Sequence, residues 1–116
     1  GTVALVAALL QVGCASFPPP NEQLAVATAA VDNAARAGAA ELAPAELSTA
    51  RDKLARANAS MIEEKYERAQ MLAEAALVDA RLAEAKARHA TAAKAALAVR
   101  DGNRVLRQEI DRGAAQ

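Results

Sequence analysis

IEEKYERAQMLAEAALVDARLAEAKARHATAAKAALAVR is the sequence of residues 62–100, and it contains neither glycine nor proline. Alanine recurs in it at alternating spacings of three and four residues, which places a row of small side chains along one face of a helix. Because alanine also has the highest helix propensity of any residue, the stretch predicts a single long helix. We call this row the seam, and its predicted members are Ile62, Tyr66, Ala69, Ala73, Ala76, Ala80, Ala83, Ala87, Ala90 and Leu97.

Two shorter helices are predicted ahead of the long one, because apolar residues keep the same spacing over residues 24–34 and 47–61. Residues 38–44 predict the turn between them, with Pro44 in the first turn of the second helix. Residues 58–60, Asn-Ala-Ser, predict the turn before the long helix, which the serine would cap. The pattern predicts an all-α fold, an antiparallel helical hairpin or three-helix arrangement with one long alanine-rich C-terminal helix. The hairpin is similar to tetratricopeptide packing, but a single unit does not make a repeat array.

The long helix is predicted to outreach its neighbours. At 1.5 Å per residue it would span about 58 Å, against about 26 Å for each shorter helix. The seam over residues 83–97 is therefore expected to lack a partner in the same chain. Residues 101–103, Asp-Gly-Asn, are expected to kink or end the helix, so residues 101–116 form either a helical extension or a frayed tail. A second, shorter apolar row, offset from the seam, consists of Val99, Leu106 and Ile110.

The N-terminal region has the pattern of a secretion signal. Residues 2–12 are apolar except for Gln11, which is the length of a signal-peptide h-region and too short to span a membrane as a helix. Because no basic segment precedes this run, we interpret residues 1–13 as a partial signal peptide whose first residues are missing. The segment Leu10-Gln11-Val12-Gly13-Cys14 resembles the bacterial lipobox, with Gln11 where that motif usually has leucine.

The lipobox resemblance implies cleavage between Gly13 and Cys14, so that Cys14 becomes the first residue of the mature protein and has lipid on its sulfur. Cys14 is the only cysteine, so no intramolecular disulfide competes for it, and the alternative is an ordinary buried thiol. The three prolines at 18–20 favour polyproline II, so residues 14–20 predict a lipidated cysteine followed by a stiff tether. Ala15 stands where an inner-membrane retention signal often has aspartate, which points to the outer membrane and a protein that faces the periplasm.

The helical region also resembles a known family. Its pattern is Gly38-Ala39 and Ala43-Pro44, then Ala50-x3-Leu54-x2-Ala57, then Tyr66-x2-Ala69-x2-Leu72-Ala73-x2-Ala76-x2-Asp79-Ala80-x2-Ala83. Over residues 20–90 this order is similar to the domain of unknown function 4398 family. The resemblance implies a bacterial lipoprotein or envelope protein with an alanine-rich helical hairpin and no established activity. We assign residues 21–100 to this domain.

Catalytic chemistry is not expected. The 14 basic and 14 acidic residues balance, so no strong field would attract nucleic acid. His89 falls off the seam and is expected in solvent, and without a second histidine or cysteine no zinc site is expected. We expect no cofactor and no small-molecule substrate. Asp79 is expected either to bond a neighbouring helix or to lie on the polar surface, and Tyr66 is expected to fill the core.

Two functions fit this pattern. The first is a non-catalytic lipoprotein of the bacterial cell envelope with a structural or adaptor role, in which the long helix self-associates as a coiled coil or binds an envelope protein. The second is a helical binding module that serves as an accessory subunit of a secretion, efflux or cell-wall maintenance complex. The Gly13-Cys14 junction favours the first, and the uncovered seam over residues 83–97 motivates the second.

Overall fold

The computed structural model describes residues 16–115, so Gly13 and Cys14 lie outside the described residues. Within this range the chain forms four helices and no strand: α1 Asn21–Arg36, α2 Ala39–Leu42, α3 Pro44–Ile62 and α4 Tyr66–Ala114. The predicted all-α fold with one long C-terminal helix is confirmed. None of the helices described is both long enough and apolar enough to cross a bilayer.

The long helix α4 is the element on which the others pack, since α1 and α3 each contact it more extensively than they contact one another. Alanine makes this possible, because a methyl group lets neighbouring backbones come close without leaving a void. Six members of the seam are fully buried: Ala69, Ala73, Ala76, Ala80, Ala83 and Ala87.

The core has two layers along α4, and their composition gives the helix directions. In the first layer, Leu24 and Ala27 from the start of α1 meet Ala57 from the end of α3 and Ala73 of α4. The second layer combines the end of α1, the start of α3 and a later part of α4, with members Ala30, Val31, Ala34, Ala39, Ala43, Leu47, Ala50, Ala80, Ala83 and Ala87. Hence α1 runs parallel to α4, and α3 runs antiparallel to both.

Two ion pairs join α3 to α4 across the bundle. Lys53 Nζ lies 2.6 Å from Asp79 Oδ2, an oxygen shielded from solvent, so Asp79 forms an ion pair with a neighbouring helix. The second pair is formed by Lys86 and Glu46. The hydrogen bond from the Lys86 ammonium holds the pKa of the Glu46 carboxyl below its ordinary value. Both pairs are partly solvated, so they fix the register of the hairpin more than they add to its stability.

The turn between α1 and α3 lies where the sequence predicts it. Gly38 adopts the left-handed conformation, with φ 88°, which is accessible to glycine without strain. The four-residue helix α2 follows it, and Pro44 is the first residue of α3. The prediction for Pro44 is confirmed. Its missing N–H costs nothing there, because the first N–H groups of a helix have no partner within the helix.

The predicted turn at residues 58–60 is wrong, because α3 continues through it to Ile62. The side chains expected to break the helix bond to it instead. Asn58 Nδ2 donates to the Leu54 carbonyl at 3.1 Å, and Ser60 Oγ donates to the Arg56 carbonyl at 2.9 Å. Such bonds to the preceding turn let polar side chains remain inside a helix.

The turn lies instead at residues 63–65, where Glu64 has φ 58°. The Lys65 amide donates to the Ser60 carbonyl at 2.8 Å, and the Glu64 amide donates to the Met61 carbonyl at 3.0 Å. This pair of bonds is the Schellman arrangement, in which the left-handed position is usually glycine. A glutamate at this position is not a sequence pattern typical of a helix end, so the sequence does not predict a turn at residues 63–65.

Two large residues assigned to the seam lie outside the core. Ile62 is the last residue of α3 and is 85% exposed. Tyr66 is only half-buried, in a cleft that it shares with Phe17. Both flank the turn at residues 63–65, at the end of the bundle, where no helix covers them. The expectation that Tyr66 fills the core is wrong, and the largest fully buried side chain is Leu47.

Enlarging a seam alanine should separate the helices. We expect Ala80→Leu to lower the free energy of unfolding by about 1–3 kcal/mol, because the added methylenes have no space between α1, α3 and α4. Ala85→Leu is the matched control, since Ala85 is exposed on the same helix. Urea denaturation followed by circular dichroism measures both, and equal stability of the two variants would contradict the packing described.

Removing the strain at Glu64 should stabilise the hairpin. We expect Glu64→Gly to raise the free energy of unfolding by roughly 1 kcal/mol, because a left-handed conformation costs an L-residue about that much. Glu63→Gly, one residue earlier at φ −79°, should destabilise instead, because it adds backbone freedom to the unfolded chain and removes the ion pair of Glu63 with Lys65. Thermal unfolding of the two variants side by side checks the sign, and a Glu64→Gly protein less stable than the parent would refute the turn.

Candidate interaction surface

The second half of α4 leaves the bundle as a single helix. We call residues 91–114 the extension, because Ala90 is half-buried and every described residue after it is exposed. At 1.5 Å per residue the extension is about 36 Å long, roughly half of the 73 Å that α4 spans. A helix of this length without packing contacts is marginal in water, so the extension is the part of the molecule that gains most from a partner.

The extension begins later and ends later than the sequence predicts. Ala83 and Ala87 are fully buried, in the same core cluster as Ala39 and Ala43 from the turn between α1 and α3. The expectation of an uncovered seam over residues 83–97 is therefore wrong for its first part, although Leu97 is 59% exposed. Residues 101–103 neither kink the chain enough to interrupt α4 nor end it, and the helix runs to Ala114.

Beyond Ala90 the face that carries the seam becomes polar. The next positions at spacings of three and four are Lys94, Leu97, Asp101, Arg104 and Gln108, all exposed. Leu97 is the one large apolar side chain among them. The surface that α1 and α3 cover is therefore not prolonged into the extension, and a third helix laid along it would meet charged groups.

Three of the five large apolar side chains of the extension lie on another face, whereas Leu97 and Val105 do not. We define the apolar row as the positions spaced by three and four residues from residue 92 to residue 113. At 100° per residue its mean direction is about 140° from that of the seam. Its large members, Val99, Leu106 and Ile110, are 62%, 59% and 61% exposed. The complete row is Ala92, Ala96, Val99, Asn103, Leu106, Ile110 and Gly113.

The sequence indicated only part of this row. Val99, Leu106 and Ile110 are apparent from their hydrophobicity, whereas Asn103 was assigned to a helix-breaking triplet. The regular spacing from Ala96 through Asn103 to Ile110 is the signal that places Asn103 in the row. Only the continuity of α4 through Gly102 shows that this spacing describes one helical face.

The extension is mildly basic. Its five basic residues and three acidic residues, from Lys94 to Arg112, leave a net charge of +2 (five minus three). Arg104 lies 3.6 Å from Asp101, and Arg112 lies 3.4 Å from Glu109. These exposed pairs within one helix contribute little stability, but they leave the apolar row free of charge along its centre.

A shallow cleft marks the point where α4 leaves the bundle, at the end of α1. Its polar lining is already paired: Arg36 Nη2 donates to Asn33 Oδ1 at 2.6 Å, and Arg88 Nη2 donates to Glu84 Oε1 at 2.6 Å. The two arginines therefore hold neighbouring acceptors of their own helices. The cleft is open to solvent on the side of the extension, where Ala92 and Ala95 line it.

A second cleft lies at the opposite end of the bundle. It contains Phe17 and Tyr66, the only two aromatic residues of the chain, beside Lys65 and Arg68. Phe17 lies in residues 14–20, for which the sequence predicts a tether, so this segment leaves the bundle beside the first turn of α4. The extension, at the other end of α4, points away from the tether.

No metal site is formed by the residues that the structure describes. His89 is exposed, as predicted. No group of three or more metal-ligating side chains comes together within residues 16–115. Among the described residues, the exposed apolar row is the feature that suggests binding.

These features define a class of protein: an all-α bundle that supports a bare helical arm. The chain belongs to the family whose model is described as Domain of unknown function (DUF4398), which matches residues 22–99, about two thirds of the chain. The predicted family membership is therefore confirmed. No curated protein and no solved structure matches the chain. The family model includes the first residues of the extension and ends at Val99, before most of the apolar row.

The continuity of α4 can be tested at Gly102. A side chain there would meet no neighbour within 4 Å, so Gly102→Ala should only add helix propensity, worth about 0.5–1 kcal/mol. We expect higher helicity by circular dichroism and slower amide exchange over residues 98–106. Ala98→Gly, the reverse change at an exposed position one turn earlier, should have the opposite effect. If Gly102→Ala lowers the helicity, α4 is not continuous through this point.

Proposed function

We propose that this protein is a non-catalytic lipoprotein of the bacterial cell envelope, anchored through lipid on Cys14 in the outer membrane and facing the periplasm. In this role the bundle serves as a base and the extension as an arm that binds another protein molecule. The function is structural or that of an adaptor, because the arm offers an apolar surface for association.

The observation that carries the proposal is the position of the arm relative to the tether. The tether joins α1 at Asn21, beside the first turn of α4, and α4 then runs about 73 Å before it ends at Ala114. A lipid at Cys14 would hold one end of the molecule at a membrane, and the apolar row would stand well away from it. Such a separation suits a protein that connects a membrane with something at a distance.

The sequence before α1 supports the anchor. An apolar h-region, the Gly13-Cys14 junction and three consecutive prolines follow one another in the order in which a lipoprotein uses them. One acyl chain binds a bilayer only marginally, at about 0.8 kcal/mol per buried methylene, so stable anchoring requires two or more chains. The diacylated cysteine that the lipobox resemblance implies meets this requirement.

A second candidate function has its own support in the cleft at the root of the extension. There the C-terminal end of α1 and the exposed start of the extension form a concave surface, whose lining includes Ala37, Ala92 and Ala95. A peptide or a partner helix could dock in it, as an accessory subunit of a secretion, efflux or cell-wall maintenance complex would require. Because the cleft is shallow and open, we place this function second.

The anchor is tested by substituting Cys14. In a Gram-negative host, with an initiating methionine and basic n-region supplied, we expect palmitate labelling, globomycin-sensitive processing and recovery in the membrane fraction. Cys14→Ser should abolish labelling completely, because the thiol is the only acceptor. Ser16→Ala, two residues further on, is the control and should be labelled normally. A Cys14→Ser protein that is still labelled and fractionates unchanged would disprove the anchor.

A further inference from the structure

We propose that the apolar row binds a second copy of this chain, as a parallel and in-register two-stranded coiled coil over residues 92–113. In this coiled coil Asn103 pairs with Asn103 of the second copy. The inference rests on the proposed function in taking the extension as the arm that binds another protein, and it names that protein.

The spacing of the apolar row is that of a heptad. Its members alternate between steps of three and four residues without interruption from Ala92 to Gly113, which is the condition for a coiled-coil seam. In this register Ala96, Asn103 and Ile110 occupy the a positions. Val99 and Leu106 occupy d positions, so a valine and a leucine lie next to the asparagine along the row.

Asn103 identifies the occupant of this surface. A single asparagine at an a position specifies register and oligomeric state, because its amide needs a hydrogen-bond partner once the coiled-coil interface excludes water. An amide both donates and accepts, so a second copy of the same asparagine satisfies it. In a parallel, in-register pair the two Asn103 side chains meet. In an antiparallel pair, residues at a positions meet residues at d positions. Asn103 would then face Val99 or Leu106, and its amide would remain without a partner.

The charges beside the row favour the same orientation. Arg100 and Arg107 each follow a d residue, so they flank the apolar row. In a parallel pair each lies against the residue that precedes an a position of the other copy, which is Ala95 or Gly102. In an antiparallel pair the arginines of one copy would face the arginines of the other across the interface. Like charges would then repel, whereas the parallel pair places Arg100 and Arg107 each beside a small neutral residue.

The rest of the molecule leaves room for this pairing. The row points about 140° away from the seam, so most of each bundle lies away from the second copy, and α1 lies beside the face that turns towards it. The face of α4 that turns towards the second copy next to the bundle is exposed, with Glu74, Arg81 and Arg88 on it beside Val78 and Ala85. A parallel pair also keeps both tethers at one end, which allows two copies to be anchored in one membrane.

The pairing is tested first by its apolar layer. We compare Leu106→Gln with Val105→Gln in the full chain with Cys14→Ser, in a mild detergent, by sedimentation equilibrium. Leu106 and Val105 are adjacent in the chain and are 59% and 53% exposed, but only Leu106 belongs to the row. We expect a dimer whose dissociation constant rises tenfold or more in Leu106→Gln and stays within twofold in Val105→Gln. A monomer at all concentrations, or equal effects of both variants, overturns the proposal.

The orientation is tested by disulfide formation. Gly113 lies in the row, and a side chain added there would meet nothing within 4 Å, so Gly113→Cys should leave the fold unchanged. In the Cys14→Ser background it should form a covalent dimer on mild oxidation. Arg112→Cys, on the other side of the helix, should form at least fivefold less. Comparable yields from both cysteines, or none from Gly113→Cys, overturn the parallel register, since an antiparallel pair would separate the two copies of residue 113 by many turns.

The role of Asn103 has its own readout. Asn103→Leu should strengthen association and shift the mass towards assemblies larger than a dimer, because the constraint on oligomeric state is removed. An unchanged dimer would overturn the pairing of Asn103. All these measurements use a protein without Cys14, so they do not depend on lipidation. A failed dimer with normal palmitate labelling refutes the coiled coil alone, and the opposite result refutes the anchor alone.

Discussion

The close approach of helices along α4 depends on the size of alanine. Six seam positions from Ala69 to Ala87 are fully buried, and each contributes only one methyl group, so no single layer of the bundle buries much area. Stability must therefore accumulate along the helices, which explains why the bundle is long and thin and why its few leucines matter. Leu24 and Leu47 each occupy one layer, and the cross-helix pairs of Lys53 with Asp79 and Lys86 with Glu46 fix the register in which those layers meet.

Which parts of this arrangement can be predicted follows from how locally each is encoded. Alanine spacing predicts α4, and Gly38 and Pro44 predict the first turn, because periodicity and backbone restriction act over a few residues. The second turn is different. Its left-handed residue is Glu64, and the polar residues that resemble a helix break, Asn58 and Ser60, satisfy their hydrogen bonds inside α3. The side chain alone does not distinguish these two outcomes. Tertiary contacts decide them, as they decide that Tyr66 lies at the edge of the core.

The candidate surface was harder to predict than the fold for a related reason. A row of alanines predicts burial without saying what buries it, and the answer changes at Ala90. Up to that point α1, α2 and α3 cover the seam. After it the same face bears Lys94, Asp101 and Gln108, and apolar residues reappear on a different face. Such a change of face within one uninterrupted helix separates two tasks: the first half holds the bundle together, and the second presents a surface to a partner. The triplet at residues 101–103 concealed this change, because glycine and asparagine are frequent where helices end.

A short coiled coil with three large aliphatic residues per strand is weak by itself, and this weakness is compatible with the anchor. Two chains held in one membrane through their tethers meet at a far higher effective concentration than two chains in solution, which converts a marginal association into a stable one. The geometry requires that both tethers leave from the same end, and the parallel register of Asn103 provides this. An antiparallel pair of equal strength would need its two tethers at opposite ends, about 110 Å apart at 1.5 Å per residue, and would gain nothing from a shared membrane. The orientation set by one amide and the position of the tether therefore lead to the same assembly.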